Sequence, residues 1–344
     1  MRTDPTPPNN EGPISKTLVL GDGGWGTALA MVLHENGHDV RVWGVDAEYT
    51  RQVQSTRKNP KFLPGVVLPE GIVFGSDAAQ LAEGVAMTFS VVPTQFLRSA
   101  LTRIGSHLPP GTPIVSCSKG FERGSLRLPS GVISELLPAA EVVVLSGPSH
   151  AEEVSRGLPT TVVVATTRAE NAAAVQRLLN CRRFRVYTSG DPVGVEVGGA
   201  AKNIIALAAG ISDGLGFGDN TRAGLITRGL HEITRLGKAL GARVETFAGL
   251  SGTGDLIVTC TSSQSRNYTV GFRIARGEGL EDIRRSTETV AEGVETTRSI
   301  HELARTLDVT LPITAEVHAV LFEGKSPRKA VEDLMCREVK EERR

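Results

Sequence analysis

The amino-acid sequence predicts an α/β protein in which a wound sheet domain is followed by an all-α domain. Three observations predict it: short β-branched runs alternate with helical segments up to about Thr188, a glycine-rich turn follows the first run, and helical windows dominate after Gly190. This alternation is typical of a sheet with parallel strands at its centre. A length of 344 residues also favours two domains.

The chain is therefore divided into three parts. The first fifteen residues (1–15), which are polar and proline-rich, are expected to form a disordered tail. Residues 16–191 are predicted to form the sheet domain, with strands in "TLVL", "DVRVW", "MTFSVV", "TPIVSC", "EVVVLS", "TTVVVATT" and "FRVYT" and helices such as "WGTALAMVLHEN" and "AENAAAVQRLLN" between them. Residues 192–344 are predicted to be helical, and the stretch 198–230 reads as one long apolar helix.

The composition argues against several kinds of partner. The 38 basic side chains equal the 38 acidic ones, so no global positive field suggests nucleic acid. No stretch approaches the roughly 18 apolar residues that a membrane span needs, and the start lacks a secretory pattern, so we expect a cytoplasmic protein without a span. The four cysteines lie far apart without a CxxC pattern, so we expect reduced thiols and no metal site.

A glycine-rich loop lies between the first predicted strand and the first helix. The stretch "TLVLGDGGWGTALAMVLHENGHDVRVW" places Gly21, Gly23 and Gly26 in a GxGxxG pattern. In a Rossmann-type dinucleotide site these glycines give the tight turn, the close approach of backbone to pyrophosphate, and the packing of helix on strand. The pattern alone is weak, but the complete strand-loop-helix-strand unit favours dinucleotide binding over a structural turn.

The end of the second strand bears on the choice of dinucleotide. An acidic residue there would bind the adenosine ribose, and basic side chains would accept a 2′-phosphate. In "VWGVDAEYTRQ", Asp46 lies a few residues later than an ideal ribose ligand and Arg51 further still. The choice between NAD and NADP therefore stays open.

Two stretches follow predicted strands at the edge where ligands gather in open α/β sheets. Lys119, in "SCSKGFE", is placed to meet a phosphate or a carbonyl, with a surface lysine as the alternative. In "LSGPSHAEE", Gly147 forms a turn and Ser149 precedes a helix that begins with acidic residues. Helix capping would explain Ser149 and Glu152 without any ligand.

Lys202 stands alone among small and apolar residues of the 198–230 stretch. Its neighbours at helical spacing include Gly198, Gly199, Ile205 and Ala206, and the remaining sides are also apolar. A helix that is apolar all round is a buried helix, and an unpaired buried ammonium is very unfavourable. The side chain of Lys202 therefore snorkels to water, pairs with an anion, or lies in a cleft with a lowered pKa. The last two arrangements describe a general acid or base, and we favour them over snorkelling.

Two other stretches offer polar groups in the helical half. In "GLSGTGDLIVTC", Asp255 follows a flexible glycine-rich loop and would either cap a helix or present a carboxylate to the cleft. In "TSSQSRNYTVGFRIARG", Ser265, Arg266 and Asn267 open a helix. Arginine beside asparagine at a helix N-terminus suits a phosphate or a carboxylate, and a cap is again the alternative.

These stretches together resemble NAD(P)-dependent glycerol-3-phosphate dehydrogenase of the bacterial type. "GGAAKNIIALAAGISDGLGFGDNTRA" matches the family signature almost residue for residue, and "GLSGTGDLIVTCTSSQSRN" and "SGPSHAEEVSRGLPT" match two further motifs. The resemblance runs from about Ile14 to about Lys340. It implies a Rossmann-type domain, a helical domain like the C-terminal one of 6-phosphogluconate dehydrogenase, and reversible reduction of dihydroxyacetone phosphate by NADH or NADPH. The product, sn-glycerol 3-phosphate, supplies phospholipid backbones.

The resemblance also implies roles for individual residues. Lys202 would be the catalytic acid/base, with Asp255 and Lys119 as further catalytic residues. The substrate would be held by Lys119, Gly147, Ser149, Lys202, Asn203, Asp255, Ser265, Arg266 and Asn267. The cofactor would be held by Gly21, Gly23, Gly24, Trp25, Gly26, Val45, Lys119, Ala151, Arg266, Val290 and Glu292. A homodimer is one expectation, although the sequence does not fix the oligomeric state.

The sequence departs from the family pattern at three positions. Asp22 stands where the family usually has a small residue, which brings negative charge close to the pyrophosphate unless the side chain turns outward. Val45 replaces the His or Arg of many relatives and removes an expected adenosine-phosphate contact, which leaves NADP preference in doubt. Ser149 replaces a common Thr and keeps the hydroxyl.

Two alternative functions follow from the same residues. Ketopantoate reductases and 3-hydroxyacid dehydrogenases also pair a Rossmann domain with a helical one and use a lysine on a similar helix. The "SRN" segment argues for a phosphorylated substrate, although arginine also suits a carboxylate. A catalytically silent dinucleotide sensor is disfavoured because the lysine, the aspartate and "SRN" occur together.

Overall fold

The computed structural model describes residues 15–287, 290–339 and 341–342. Apart from Ser15, the predicted tail over 1–15 lies outside the described residues. The strands are β1 (Lys16–Leu20), β2 (Asp39–Trp43), β3 (Lys58–Asn59), β4 (Leu63–Val67), β5 (Val73–Gly75), β6 (Met87–Ser90), β7 (Ile114–Ser116), β8 (Val142–Ser146), β9 (Thr160–Ala165) and β10 (Phe184–Ser189).

The helices of the sheet domain lie between these strands. They are α1 (Gly24–Glu35), α2 (Ala47–Thr56), α3 (Ala78–Ala82), α4 (Thr94–Ile104), α5 (Pro129–Leu136), α6 (Ala151–Ser155) and α7 (Ala169–Leu179). The later helices are α8 (Pro192–Gly214), α9 (Asp219–Ala239), α10 (Asp255–Thr261), α11 (Arg266–Ala275), α12 (Leu280–Ser286), α13 (Glu292–Thr306), α14 (Pro312–Phe322) and α15 (Pro327–Met335). A π-helical turn, Leu250–Gly254, leads into α10.

Eight strands form one sheet in the order β10-β9-β8-β7-β6-β1-β2-β5. Neighbouring strands pair parallel, except β8 and β9, which pair antiparallel from Val144 opposite Ala165 to Ser146 opposite Val163. All seven strands predicted from β-branched runs are present, and parallel strands occupy the centre. Helices cover both faces, so the strands bury apolar side chains on both sides. The carboxyl ends of β1, β6 and β7 lie side by side at one edge.

The described residues after Ser189 are helical or irregular, which confirms the predicted order of an α/β domain and an all-α domain. The long helix expected over 198–230 is wrong in one respect, because α8 ends at Gly214 and α9 begins at Asp219. Gly216 lies between them with φ +86°, a left-handed conformation that favours glycine. The stretch is therefore two helices joined by a turn.

Helix α8 is the axis of the helical domain, and nearly all of its residues are buried. Small residues let other segments approach its backbone. A Cβ on Gly198 would lie 2.6 Å from the carbonyl oxygen of Ser251, and one on Gly214 would lie 2.7 Å from that of Phe272. The turn before α10 and the helix α11 therefore pack directly against α8.

One helix among the described residues, α8, is long and apolar enough to cross a membrane by length and composition. Helix α8 therefore approaches the length and apolar character of a membrane span, which the sequence analysis did not expect of any stretch. Every residue of its most apolar 18-residue stretch is buried within the protein. Its apolar character is accounted for by the core of the helical domain.

Candidate active site

A cleft of about 620 Å³ lies between the carboxyl edge of the sheet and the helical domain. Most residues proposed for the site line it together. They are Gly21, Gly23, Gly24, Trp25, Gly26, Val45, Lys119, Ser149, Ala151, Lys202, Asn203, Ser265, Arg266, Asn267, Val290 and Glu292. Gly147 and Asp255 lie behind this lining and contact it through hydrogen bonds from Lys119 and Lys202. The sites on the two domains therefore form one continuous cleft.

The glycine loop at the end of β1 has the geometry of a diphosphate cradle. Gly21 has φ +112°, a conformation that L side chains rarely adopt. A Cβ on Gly26 would overlap the carbonyl oxygen of Gly21, so α1 packs tightly on the loop. A Cβ on Gly23 would meet nothing within 4 Å, so open space lies over that backbone. The N-terminus of α1, which has no acidic residue in its first turn, faces this space with free N–H groups. These features fit a dinucleotide.

A buried carboxylate joins two lysines at the other end of the cleft. Asp255 accepts a hydrogen bond from Lys202 Nζ at 2.5 Å on Oδ1 and one from Lys119 Nζ at 2.7 Å on Oδ2. Lys202 also donates to Thr259 Oγ1 at 2.7 Å. Lys202 is only 6% exposed, so it does not snorkel. Asp255 is the first residue of α10 and gives its side chain to the lysines, which excludes a simple cap.

The electrostatics of this cluster follow from its burial. The pKa of Lys202 is lowered to about 8, because burial and, to a smaller extent, the charge of Lys119 outweigh the opposing effect of Asp255. Burial alone would raise the pKa of Asp255, but the two lysines outweigh it and hold that pKa below its usual value. The cluster of two ammonium groups and one carboxylate therefore carries a net positive charge and holds a proton that is easily released near neutral pH.

The loop after β8 supplies backbone groups beside Lys119. Gly147 has φ +127°, and its carbonyl oxygen accepts from Lys119 Nζ at 3.1 Å and from Ser149 Oγ at 3.0 Å. Ser149 does not cap α6, which begins after His150 without a side-chain cap, so the capping alternative for Ser149 is wrong. The hydroxyl instead lies at the cleft wall.

The "SRN" segment opens α11 at the rim of the cleft. Ser265 is the N-cap, since its Oγ accepts from Tyr268 N at 3.3 Å. Arg266 is exposed and donates from Nη1 to the carbonyl oxygen of Val290 at 3.1 Å. Asn267 is buried, and its Oδ1 accepts from Gly293 N at 2.9 Å. An arginine at a helix N-terminus on an open cleft is a suitable anion receiver.

Glu292 connects the two domains across the cleft. Its Oε1 accepts from Thr94 N at 2.8 Å and from Thr94 Oγ1 at 3.2 Å, so the first residue of α13 caps the N-terminus of α4. Burial raises the pKa of Glu292, and these hydrogen bonds and Arg266 oppose the shift. Glu292 and Val290 therefore reach the dinucleotide side of the cleft from the helical domain.

The end of β2 lies at the opposite end of the cleft from Lys202. Val45 is 62% exposed there, and Asp46 caps α2 by accepting from Glu48 N and Tyr49 N at 3.0 Å. Arg51 donates to the carbonyl oxygen of Ala47 in its own helix. Asp46 and Arg51 are absent from the residues lining the cleft, whereas Asp22 lines it.

Thr259 and His150, which line the cleft, and Thr94, which lies behind it, were not predicted from the sequence. Thr259 accepts from Lys202, and its position four residues after Asp255 on one helix could have indicated it. Thr94 binds Glu292 from a distant part of the chain, and no sequence signal marks it. His150 lines the cleft, and burial and the charge of Lys202 lower its pKa, so its ring is neutral near neutral pH.

Comparisons with known proteins agree with this geometry. Glycerol-3-phosphate dehydrogenase (NAD(P)+) of Geobacillus kaustophilus (strain HTA426) is 52% identical over 332 residues, which cover 96% of each chain. The protein of the same name from Desulfitobacterium hafniense (strain Y51) is 49% identical over 329 residues, covering 96% of this chain and 93% of the relative. The crystal structure of glycerol-3-phosphate dehydrogenase from Coxiella burnetii superposes with a TM-score of 0.91 at 38% identity, covering 94% of this chain and 99% of that one.

Two family models also match the chain. The model for the N-terminus of NAD-dependent glycerol-3-phosphate dehydrogenase matches residues 16–172, and the model for its C-terminus matches residues 191–332. The resemblance noted in the sequence is thereby confirmed, and it takes precedence over the ketopantoate reductase and 3-hydroxyacid dehydrogenase alternatives. With a dinucleotide cradle, a buried lysine pair and matches over nearly its whole length, this chain belongs to the NAD-dependent glycerol-3-phosphate dehydrogenase family of oxidoreductases.

Proposed function

We propose that this chain catalyses the reversible NAD(P)H-dependent reduction of dihydroxyacetone phosphate to sn-glycerol 3-phosphate, with Lys202 as the proton donor. The observation that carries the proposal is the cluster of Lys202, Asp255 and Lys119 at the cleft opposite the glycine loop. A carbonyl that gains negative charge needs nearby positive charge and one mobile proton. This cluster supplies both.

The glycine loop and the helical domain would hold the cofactor. The backbone from Gly21 to Gly26 and the N-terminus of α1 suit its diphosphate, while Val290 and Glu292 reach it from the other side. The bound nicotinamide supplies a hydride to C2 of the ketone. The cleft between the domains limits water around the reacting carbon, which strengthens the electrostatic interactions there.

Lys202 would complete the reduction by proton transfer. As the C2 carbonyl becomes an alcohol, a new O–H bond forms on its oxygen and the N–H bond on Lys202 Nζ breaks. Lys202 is left neutral and regains a proton from water. Asp255 holds Lys202 in place at 2.5 Å, and Lys119 keeps a positive charge beside the same oxygen. The reverse reaction would use neutral Lys202 as a general base.

Arg266 would bind the phosphate of the substrate. It is exposed at the start of α11, whose N-terminal N–H groups face the same rim of the cleft, and Asn267 lies next to it. Binding energy from this remote group would orient the carbonyl toward Lys202. Ser149 and the backbone of Gly147 lie beside Lys119, and they would contact the hydroxyl groups on the carbon chain of the substrate or product.

Lys202→Met tests the proposal. We expect kcat for reduction of dihydroxyacetone phosphate to fall by about 10²–10⁴-fold, because the proton donor is lost, while the Kd for reduced cofactor stays near the wild-type value. Lys238→Met is the matched control, since Lys238 is exposed on α9 and distant from the cleft lining. Near-wild-type turnover in Lys202→Met would refute the role. Absence of turnover in the wild-type protein, with cofactor binding retained, would favour a dinucleotide sensor.

Three broader expectations belong to the same proposal. We take the domain boundary at residue 191, between the end of β10 at Ser189 and the start of α8 at Pro192. The enzyme would act in the cytoplasm and supply glycerophospholipid synthesis. A homodimer is expected, and analytical ultracentrifugation tests it through the mass in solution.

A further inference from the structure

Asp22 lies in the glycine loop and lines the cleft, and the proposed function gives its side chain no role. Its carboxylate does not turn outward to solvent. It lies across the backbone of Gly44, directly after β2, so that any Cβ on Gly44 would overlap it. The methyl group of Thr50 closes the same space from α2. Asp22 thus carries a carboxylate from the end of β1 to the end of β2.

The end of β2 is where a Rossmann-type site meets the adenosine ribose, and an acidic side chain there binds the ribose hydroxyls. β2 has no acidic side chain at its carboxyl end, since its acid, Asp39, is the first residue of the strand. Gly44 has no side chain, Val45 is apolar, and Asp46 uses Oδ1 to cap α2 and does not line the cleft. Asp22 lines the cleft and is placed beside this position from the neighbouring loop.

The Asp22 and Asp46 carboxylates favour a neutral ribose over a phosphorylated one, and they oppose the two cations, Lys61 and Arg103, that line the cleft. Burial raises the pKa of Asp22, and the carboxylate of Asp46 raises it further, while its own backbone N–H and Lys61 oppose the shift. A 2′-phosphate placed here would add negative charge to two carboxylates in a partly desolvated site. Arg103, the other cation at this end, packs its guanidinium over the Trp43 ring, 5.5 Å from the centroid.

We propose that Asp22 accepts hydrogen bonds from the hydroxyls of the adenosine ribose and makes NAD(H), rather than NADP(H), the preferred cofactor of this chain. The inference rests on the proposed function only in taking the cleft to be a dinucleotide site. It assigns to a loop residue the role that the second strand plays in other Rossmann-type sites. The repulsion of a 2′-phosphate would be the larger part of the discrimination.

The test is the binding of nucleotides by the full-length protein and its variants, measured by isothermal titration calorimetry. The probes are NADH, NADPH, ADP-ribose and 2′-phospho-ADP-ribose, and the last two report on the adenosine half without the nicotinamide. The variants are Asp22→Asn, which keeps the shape, and Asp22→Ala, which removes the side chain. Asp46→Asn is the matched control, because it removes the same charge nearby and asparagine still caps a helix.

Wild-type protein should bind NADH at least about tenfold more tightly than NADPH, with the same preference for ADP-ribose over its 2′-phosphate. Both Asp22 variants should lower the ratio of the NADPH Kd to the NADH Kd by about ten- to a hundredfold, the range for one like-charge interaction in a partly buried site. Asp46→Asn should change the ratio by less than either Asp22 variant, because Asp46 does not line the cleft.

Two results would overturn the inference: equal wild-type affinity for both nucleotides, or a ratio that both Asp22 variants leave at the wild-type value. Because the readout is binding, it is independent of whether dihydroxyacetone phosphate is the substrate. Failure of turnover with that substrate would refute the proposed function and leave the nucleotide ratio to be judged by itself.

Discussion

Asp255→Asn separates the electrostatic role of the carboxylate from its role in packing. Asparagine keeps the shape of the side chain but removes the charge that lies 2.5 Å from Lys202 and 2.7 Å from Lys119. Lys202 then remains buried beside Lys119 without a counter-charge. An opposite charge at such a distance changes a pKa by about 1–3 units, so we expect the pKa of Lys202 to fall by about 2 units.

The size of the effect follows from the pKa of Lys202, which is about 8 in the wild-type protein. At about pH 7.5 roughly three quarters of Lys202 carries its proton, and after a fall of about 2 units only about 3% does, which predicts a loss of roughly 25-fold in kcat for reduction. How the loss of kcat changes with pH depends on the direction of the reaction. Reduction needs protonated Lys202, so the loss should diminish toward about pH 5.5, where the variant is again largely protonated.

The assay is kcat for reduction of dihydroxyacetone phosphate between about pH 5 and 9, followed by the loss of reduced-cofactor absorbance. Asp219→Asn is the matched control, because Asp219 is exposed on α9 and pairs only locally with Arg222. Circular dichroism and cofactor Kd would verify that the variant is folded. A wild-type profile that breaks near pH 8 and an Asp255→Asn profile that breaks at the same pH would refute the reasoning.

Three further perturbations test other parts of the structure. Arg266→Ala should raise KM for dihydroxyacetone phosphate by about tenfold or more with little change in cofactor Kd, because a charge-assisted contact to phosphate is worth about 1.5–3 kcal/mol. An unchanged KM would contradict the phosphate role. Glu292→Ala removes the acceptor for Thr94 N and Oγ1 across the cleft, so the Kd for the cofactor should rise several-fold. Equal Kd values for the variant and the wild-type protein would count against a role of Glu292 in joining the two domains around the cofactor. Glu232→Ala removes the acceptor for the N–H groups of Ile313 and Thr314 at the start of α14, so chemical denaturation should show a loss of about 1–3 kcal/mol, and an unchanged midpoint would exclude this capping.

The sequence predicted those features that depend on local pattern. β-branched runs indicated seven of the ten strands in the described residues, all but β3, β4 and β5, and the all-apolar surroundings of Lys202 indicated a buried lysine with a functional role. The identity of its partner could not follow from any local pattern, because Asp255 is 53 residues away and reaches Lys202 only through the packing of α10 on α8. Spacing made helix capping an equally good explanation for Asp255, and only the geometry excludes it.

Other features depend on information that a single sequence does not contain. A β-branched run has no signal for its direction, so the antiparallel pairing of β8 with β9 could not be predicted. The break between α8 and α9, by contrast, has a local signal that the expectation of one helix overlooked, because Gly214, Gly216 and Gly218 lie within five residues before Asp219. The direction of the Asp22 side chain depends on the space that Gly44 leaves after β2, and that space forms only when the two loops meet.

The burial of α8 has a consequence for how the protein is made. During synthesis this helix leaves the ribosome before the helices that will cover it, α9 to α15, have emerged. Until then the nascent chain presents a segment with the length and hydropathy of a membrane span. Chaperones that recognise exposed apolar segments should therefore bind the chain at this stage, and truncation after α8 should produce aggregation rather than a stable sheet domain.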